Sequence, residues 1–127
     1  MSVQRLQEVV RVMSDCGFSL SRVSEELGKD RQYLSTIKCR PFNPPDATVE
    51  ELRQLIRKRG VILTNFDPEK HTLSQLSHRS DLLLGRLASK FGVTRQAINS
   101  EQVSDAIFKK IVNEIHAIGS RLLKLAS

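Results

Sequence analysis

Two Arg-Gln pairs, Arg31-Gln32 and Arg95-Gln96, are the residues whose types and spacing most suggest chemistry in this sequence. An arginine can donate two hydrogen bonds to the major-groove edge of guanine, and a glutamine can pair in both directions with adenine. Ser35 and Thr36 follow the first pair, and hydroxyls can bond to either base. The two pairs are 64 residues apart, and each follows a glycine by three residues. This repetition predicts two copies of one structural element.

Residue patterns typical of catalysis or metal binding are absent from the sequence. The three histidines, His71, His78 and His116, have no metal-ligand spacing. There is no glycine-rich phosphate loop and no Gly-x-Ser-x-Gly elbow. Cys16 and Cys39 stand far apart, and we expect them to be reduced, since a disulfide would need an oxidising compartment. We therefore expect no enzyme activity, no metal and no cofactor.

The charge of the chain favours a polyanionic partner. The formal net charge is +6 and the sequence pI is about 9.7. Residues 1–63 carry 11 Lys/Arg and 8 Asp/Glu, and residues 64–127 carry 9 and 6, so each half has a net charge of +3. No apolar stretch approaches the roughly 18 residues that cross a bilayer, and the N-terminus lacks the apolar core of a secretory signal. We expect a cytoplasmic protein with no membrane partner.

The pattern around the first Arg-Gln pair predicts two short helices joined by a tight turn. Apolar residues recur at i, i+3 and i+7 after Ser19, which is expected to cap the first of these helices. Gly28 permits the left-handed backbone of the turn, and Asp30 is expected to cap the next helix. Such a pair describes a helix-turn-helix unit, although a solvated face of an ordinary bundle is the alternative. The inward residues are Leu20, Val23, Leu27, Leu34 and Ile37. The outward candidates for DNA contact are Lys29, Arg31, Gln32, Ser35, Thr36, Lys38 and Arg40.

Residues 19–37, SLSRVSEELGKDRQYLSTI, resemble the Cro/repressor-type (XRE-like) helix-turn-helix family, and the resemblance extends over residues 2–60. In that family the residue after the turn glycine is usually apolar and the small residue at the helix crossing is usually alanine. Here these positions hold Lys29 and Ser24. The resemblance implies four or five short helices around the unit and binding of double-stranded DNA. By position, it makes Arg31, Gln32 and Thr36 the residues that contact bases.

Residues 84–98, LGRLASKFGVTRQAI, repeat the pattern at an offset of 64 with no gap. Gly92 takes the place of the turn glycine, Ala88 that of the small crossing residue and Thr94 that of the N-cap. This predicts a second helix-turn-helix unit; the alternative is a pair of ordinary packed helices that do not touch DNA. The candidate contacts of this copy are Thr94, Arg95, Gln96 and Asn99.

Glu101 interrupts the second copy, because it stands where Ile37 packs inward in the first. An unpaired inward glutamate is costly, so we expect the helix to stop near Ser100 and Ser100 to cap a final amphipathic helix of about 40 Å. The wide apolar side of that helix favours a homodimer, since repressors of this kind bind two half-sites through a twofold axis. The alternative is that the helix completes the core of the second half. The expected dimerisation residues are Ile107, Ile111, Ile115, Ile118 and Leu122.

The segment between the two copies is predicted to contain one longer helix and a connector. After a loop over residues 41–46, Thr48 and Glu51 match a capping box and predict a helix that ends at Gly60, with the basic residues 57–59 in its last turn. Residues 61–70 are expected to form a connector with an extended apolar portion, and residues 72–78 a short helix. We place a boundary near residue 65.

Together these patterns predict an all-α protein with two small helical bundles, residues 1–64 and 65–127, each containing a helix-turn-helix, and a long C-terminal amphipathic helix. The function they favour is sequence-specific binding of double-stranded DNA by a small phage, plasmid or bacterial transcription regulator. One alternative is a protein-interaction module on the same scaffold, favoured by Lys29 and Glu101 at positions that the family usually keeps apolar. The other is an accessory factor for DNA packaging or recombination. No small-molecule ligand is evident.

Overall fold

The structure is a computed structural model that describes residues 3–40 and 44–126. The all-α class is confirmed, because these residues form helices and no strand. No helix among them is both long and apolar enough to span a bilayer. The eight helices of the described residues are α1 (Val3–Asp15), α2 (Leu20–Glu26), α3 (Tyr33–Cys39), α4 (Asp46–Thr64), α5 (Leu73–Ser80), α6 (Leu84–Phe91), α7 (Arg95–Asn99) and α8 (Asp105–Ala126).

The eight helices form two four-helix units with the same order, α1–α4 (the first unit) and α5–α8 (the second unit). The residue before the second helix of each unit has a left-handed backbone, at Gly17 (φ +95°) and at Asp81 (φ +60°). The turn glycines Gly28 and Gly92 are also left-handed, at +73° and +66°. Both pairs are separated by 64 residues. The duplication therefore extends beyond the two helices that the sequence pattern covers.

The last helices of the two units, α4 and α8, cross where both have a glycine at the same position. The helices begin 59 residues apart, at Asp46 and Asp105, and Gly60 and Gly119 are also 59 residues apart. A Cβ on Gly119 would lie 2.9 Å from the Gly60 carbonyl oxygen, and a Cβ on Gly60 would lie 3.1 Å from the Gly119 carbonyl oxygen. The pair runs antiparallel, because Gly60 lies against Leu123 while Gly119 lies against Leu63 and Thr64.

The expectations for α4 are wrong at both ends. The helix begins at Asp46 after Pro45, so Thr48 is buried inside the first turn and does not form a capping box with Glu51. It continues past Gly60 to Thr64, so residues 61–63 are helical and not extended. Gly60 is needed for the close crossing with α8 and does not end the helix. Residues 41–43 of the expected loop lie outside the described residues.

The short helix predicted over residues 72–78 is present as α5. Thr72 accepts a hydrogen bond from the Gln75 N–H, and the Gln75 side chain accepts one from the Thr72 N–H. This reciprocal pair is a capping box.

The final helix is shorter than expected and has a different start. It begins at Asp105, and Ser104, not Ser100, accepts a hydrogen bond from its first turn, at 3.3 Å from the Ile107 N–H. Its 22 residues span about 33 Å at 1.5 Å per residue.

The apolar side of α8 is buried inside the chain itself. Ile111, Ile115, Ile118 and Leu122 are buried, and Ile107 is partly buried against the same core. The alternative given above, that this helix completes the core, is the arrangement observed, so the five residues do not form a surface for a second copy. The expected boundary near residue 65 falls just after α4, and one apolar core continues across it.

Candidate nucleic-acid interface

The first helix-turn-helix unit crosses at Ser24, whose side chain is fully buried. The Ser24 hydroxyl donates to the Leu20 carbonyl at 2.7 Å and accepts a hydrogen bond from the Leu34 N–H at 3.1 Å. The first N–H groups of a helix have no partner inside the helix, so this hydroxyl satisfies one of them in α3. The serine at a position where the family usually has alanine thus holds α3 against α2.

The start of α3 differs from the expectation. The Asp30 carboxylate accepts a hydrogen bond from the Gln32 N–H at 2.8 Å, but α3 begins at Tyr33. Asp30 therefore closes the turn before the helix and does not cap the helix itself, and Arg31 and Gln32 lie in that turn. The cap predicted for α2 is confirmed, because Ser19 accepts from the Arg22 N–H.

The predicted contact residues of the first unit lie on one outward surface, with one exception. The Arg31 side chain is 75% exposed, and its Nε lies 3.1 Å from a Glu25 carboxylate oxygen. Lys38 is the exception, because its ammonium donates to the Ser14 hydroxyl of α1 at 3.0 Å. Lys38 therefore fixes α3 to α1. The exposed candidates are Lys29, Arg31, Gln32, Thr36 and Arg40, and Ser35 is partly exposed.

A concave groove of about 320 Å³ runs along α3 between these side chains. Sequence reasoning missed Cys39, which lines it and is exposed. Its spacing of four from Ser35 and three from Thr36 was the signal, because such positions share one helix face. Lys29 lies beside the groove residues in sequence, and its ammonium is 5.6 Å from the centre of the Tyr33 ring, a cation–π distance. The groove is lined by Gln32, Ser35, Thr36, Cys39 and Arg40.

The second unit presents its candidates in the same way. Thr94 accepts a hydrogen bond from the Ala97 N–H at 3.0 Å, which confirms it as the N-cap of α7. Arg95, Gln96 and Asn99 line a groove of about 400 Å³ beside α5. All four of the predicted contact residues of this unit are exposed.

Glu101 has a structural role that the sequence did not reveal. The helix α7 ends at Asn99, close to the expected end, and Glu101 adopts a left-handed backbone with φ +58°. Its carboxylate accepts a hydrogen bond from the Leu73 N–H at 2.9 Å, at the start of α5. The glutamate is therefore paired. Ser100 donates to the Gln96 carbonyl at 2.7 Å and caps nothing.

A two-stranded backbone bridge joins the units at Phe18 and Leu82. The Ser19 N–H donates to the Asp81 carbonyl at 3.0 Å, and the Leu83 N–H donates to the Gly17 carbonyl at 2.8 Å. Each residue of the first bond corresponds to one of the second at the offset of 64. The two bonds are therefore the same contact made in both directions.

Two arginines extend across this bridge, one from each unit. Arg22 of α2 lies 3.7 Å from the Asp81 carboxylate. Arg86 of α6 covers Gly17, and its Cγ would lie 2.6 Å from a Cβ at that glycine. A cleft beside the bridge brings Arg95 of α7 next to Arg22. The second recognition helix therefore borders the first unit.

Arg59 is the residue that sequence reasoning most clearly missed. Only 3% of it is exposed, and its Nη2 bonds to the Glu26 carboxylate and, at 2.7 Å, to the Asp81 carboxylate. It thus connects α4 with the end of α2 and with the residue after α5. The Arg59 Nε finds no partner among the described residues. The signal was its place on the inward stripe that contains Ile56 and Leu63.

The site as a whole has the chemistry of a binding surface. Its exposed groups are hydrogen-bond donors and acceptors on two short helices, backed by an apolar core. Among the described residues, no three His, Cys, Asp or Glu side chains lie close enough together to hold a metal ion. No protein-family model, curated protein or solved structure matches this chain.

Proposed function

We propose that this protein binds double-stranded DNA in a sequence-specific manner and acts as a small transcription regulator of phage, plasmid or bacterial type. The observation that carries the proposal is the exposure of Arg31, Gln32 and Thr36 beside α3, while the inward side of the same helix is buried. A helix with such side chains fits the major groove, which is about 12 Å wide. Arg95 and Gln96 repeat the arrangement at α7.

The charge of the chain supports the proposal. Each half carries a net charge of +3, and exposed Lys and Arg side chains that neutralise phosphates release counterions from DNA. Binding should therefore weaken steeply as salt rises, with a slope of about −0.9 for each phosphate contact when log affinity is plotted against log salt.

The interaction-module alternative loses the two features that favoured it. Lys29 is exposed and lies over the Tyr33 ring, so the helix-turn-helix tolerates it without an apolar partner. Glu101 binds the Leu73 N–H of the neighbouring helix. Both departures from the family pattern are thus explained by contacts within the chain.

The direct test is selection of bound duplexes from random DNA with the full chain, followed by titrations of the enriched sequence. Arg31→Ala and Gln32→Ala should each weaken binding by about 1–3 kcal/mol and relax the preference at one base pair. Lys58→Ala is the matched control, because it removes a charge from an exposed position of α4 outside the recognition helices. Absence of an enriched sequence, or an Arg31→Ala loss no larger than that of Lys58→Ala, would overturn the proposal.

The two cysteines give an independent test of the surface. Cys39 is exposed in the α3 groove, whereas burial raises the pKa of the Cys16 thiol and keeps it protonated. Thiol alkylation should modify Cys39 first, and the enriched duplex should slow that reaction. A scrambled duplex at the same concentration is the control. Equal rates with both duplexes would show that α3 faces away from the bound DNA.

A further inference from the structure

We infer that a single chain reads both halves of an inverted, bipartite DNA site, with α3 on one half and α7 on the other, and needs no second copy. The inference rests on the proposed function. It goes beyond that function because it fixes the stoichiometry, the orientation of the half-sites and the residues that distinguish them.

The first support is the backbone bridge between the units. An antiparallel bridge in which residue 18 faces residue 82 has a local twofold axis through that pair when the two residues are equivalent. The reciprocal bonds from Ser19 to Asp81 and from Leu83 to Gly17 show that the equivalence holds for the neighbouring residues too. The crossed positions of Arg22 and Arg86 follow the same relation.

The second support is the crossing of α4 and α8. Each glycine approaches the carbonyl oxygen of the other, at 3.1 Å and 2.9 Å from the position of a Cβ. This reciprocal contact is independent of the bridge, because it involves other helices and a different offset, 59 instead of 64. Two separate reciprocal contacts are what a twofold relation between the whole units requires.

The third support is what the units have in common on their outer side. A twofold relation is how dimeric helix-turn-helix proteins place two recognition helices on inverted half-sites. Here both copies have an exposed Arg-Gln pair after the turn glycine, and each half has a net charge of +3. The apolar face of α8 that could have held a second chain is filled by the chain itself.

The half-sites should be similar but distinguishable. Arg31 and Gln32 correspond to Arg95 and Gln96, so these positions select the same bases in both halves. Ser35 corresponds to Asn99 at the offset of 64. An asparagine can pair with adenine through two hydrogen bonds, whereas a serine accepts several bases. The half bound by α7 should therefore require an adenine that the half bound by α3 does not.

The experiment uses the full chain with the duplex enriched from random DNA. Native mass spectrometry should show one chain per duplex, and the enriched sequence should contain two inverted half-sites. Arg31→Ala should lose roughly fivefold to a hundredfold in affinity and relax one half only, and Arg95→Ala should do the same for the other half. Asn99→Ser should remove the adenine requirement from one half. Lys58→Ala again controls for loss of charge.

The outcomes separate the inference from the proposed function. Specific binding with two chains per duplex, a single half-site, or no specific effect of Arg95→Ala would overturn the inference and leave DNA binding intact. Direct repeats in place of inverted ones would also overturn it. Absence of any sequence preference would remove the proposed function and the inference together.

Discussion

The first and second units hold the same backbone arrangement by different interactions. At the helix crossing the first unit uses the Ser24 hydroxyl, which bonds to two backbone groups, whereas the second unit packs Ala88. On the last helix the first unit buries Arg59 between two carboxylates, whereas the equivalent position of the second unit is the buried Ile118.

The comparison shows which features the arrangement requires. Both units keep the left-handed turn glycine, the left-handed residue before the second helix and the glycine of the α4–α8 crossing. These features set the course of the backbone. The side chains that fill the space between the helices are free to be polar in one unit and apolar in the other, provided that each buried polar group has a partner.

Arg59→Met should have the largest effect on stability. It removes the cation from two carboxylates, of which the Asp81 side chain is 14% exposed and the Glu26 side chain 41%. Breaking a buried pair typically costs 3–5 kcal/mol, and the partial exposure of Glu26 favours the low end, about 3 kcal/mol of the free energy of unfolding. Urea denaturation measures it.

The matched change in the second unit is Ile118→Val, which should cost about 1 kcal/mol. Asp81→Asn tests the same contact from the other side, because asparagine tolerates the left-handed backbone but lacks the charge. If Arg59→Met costs no more than Ile118→Val, the two positions are energetically equivalent and the comparison fails.

Gly119→Ala should destabilise the protein by about 2 kcal/mol, because the new Cβ would overpack the crossing. It would lie 2.7 Å from the Thr64 backbone nitrogen and 2.9 Å from the Gly60 oxygen, and neither backbone atom can move aside easily. Gly85→Ala in α6 is the control, since a Cβ there would meet no atom of the described residues within 4 Å. That change should stabilise the protein by roughly 0.5 kcal/mol through helix propensity. Equal thermal shifts for both variants would contradict the close crossing.

Ser24→Ala should destabilise the first unit by about 1–2 kcal/mol, although alanine is the residue that the family usually has there. The change leaves the Leu34 N–H buried without its partner. The reverse change, Ala88→Ser, should cost less than about 1 kcal/mol, because a helical serine can bond to the carbonyl four residues earlier. Urea denaturation of both variants decides whether the two crossings differ as the structure shows.

The smallest expected effect is a gain in DNA affinity for Glu25→Gln. Glu25 pairs with Arg31 in the free protein, and an exposed pair of this kind contributes about 0.2–1 kcal/mol. Its loss should strengthen binding by roughly 1.5-fold to fivefold, because Arg31 no longer has to leave a carboxylate. The equivalent residue of the second unit is Ser89, so only the half-site bound by α3 should respond. Glu69→Gln, in the segment between α4 and α5, is the control; an equal gain there would mean that net charge alone is responsible.

The parts of the fold that the sequence predicts are those set by neighbouring residues. The turn glycines, the caps at Ser19 and Thr94 and the inward stripes of α2 and α3 depend on the next few residues, so periodicity and capping preferences identify them. The outward position of Arg31 and Gln32 follows from the same local pattern.

The parts that the sequence did not predict depend on distant contacts. A glycine after a basic turn usually ends a helix, and only the crossing with Gly119 explains why Gly60 does not. The extended helix then places Arg59 inward, against carboxylates 33 and 22 residues away in the chain. The equal spacing of Asp46 to Gly60 and Asp105 to Gly119 was the available signal, but the change of offset from 64 to 59 hid it.

The close glycine crossing leaves little slack between the recognition helices. If both bind one duplex, their separation is a fixed length that the DNA must match. One extra base pair between the half-sites would rotate one of them by roughly 35° about the duplex axis, since a turn holds about 10–10.5 base pairs. The duplex, and not the protein, would then have to twist to restore the phase.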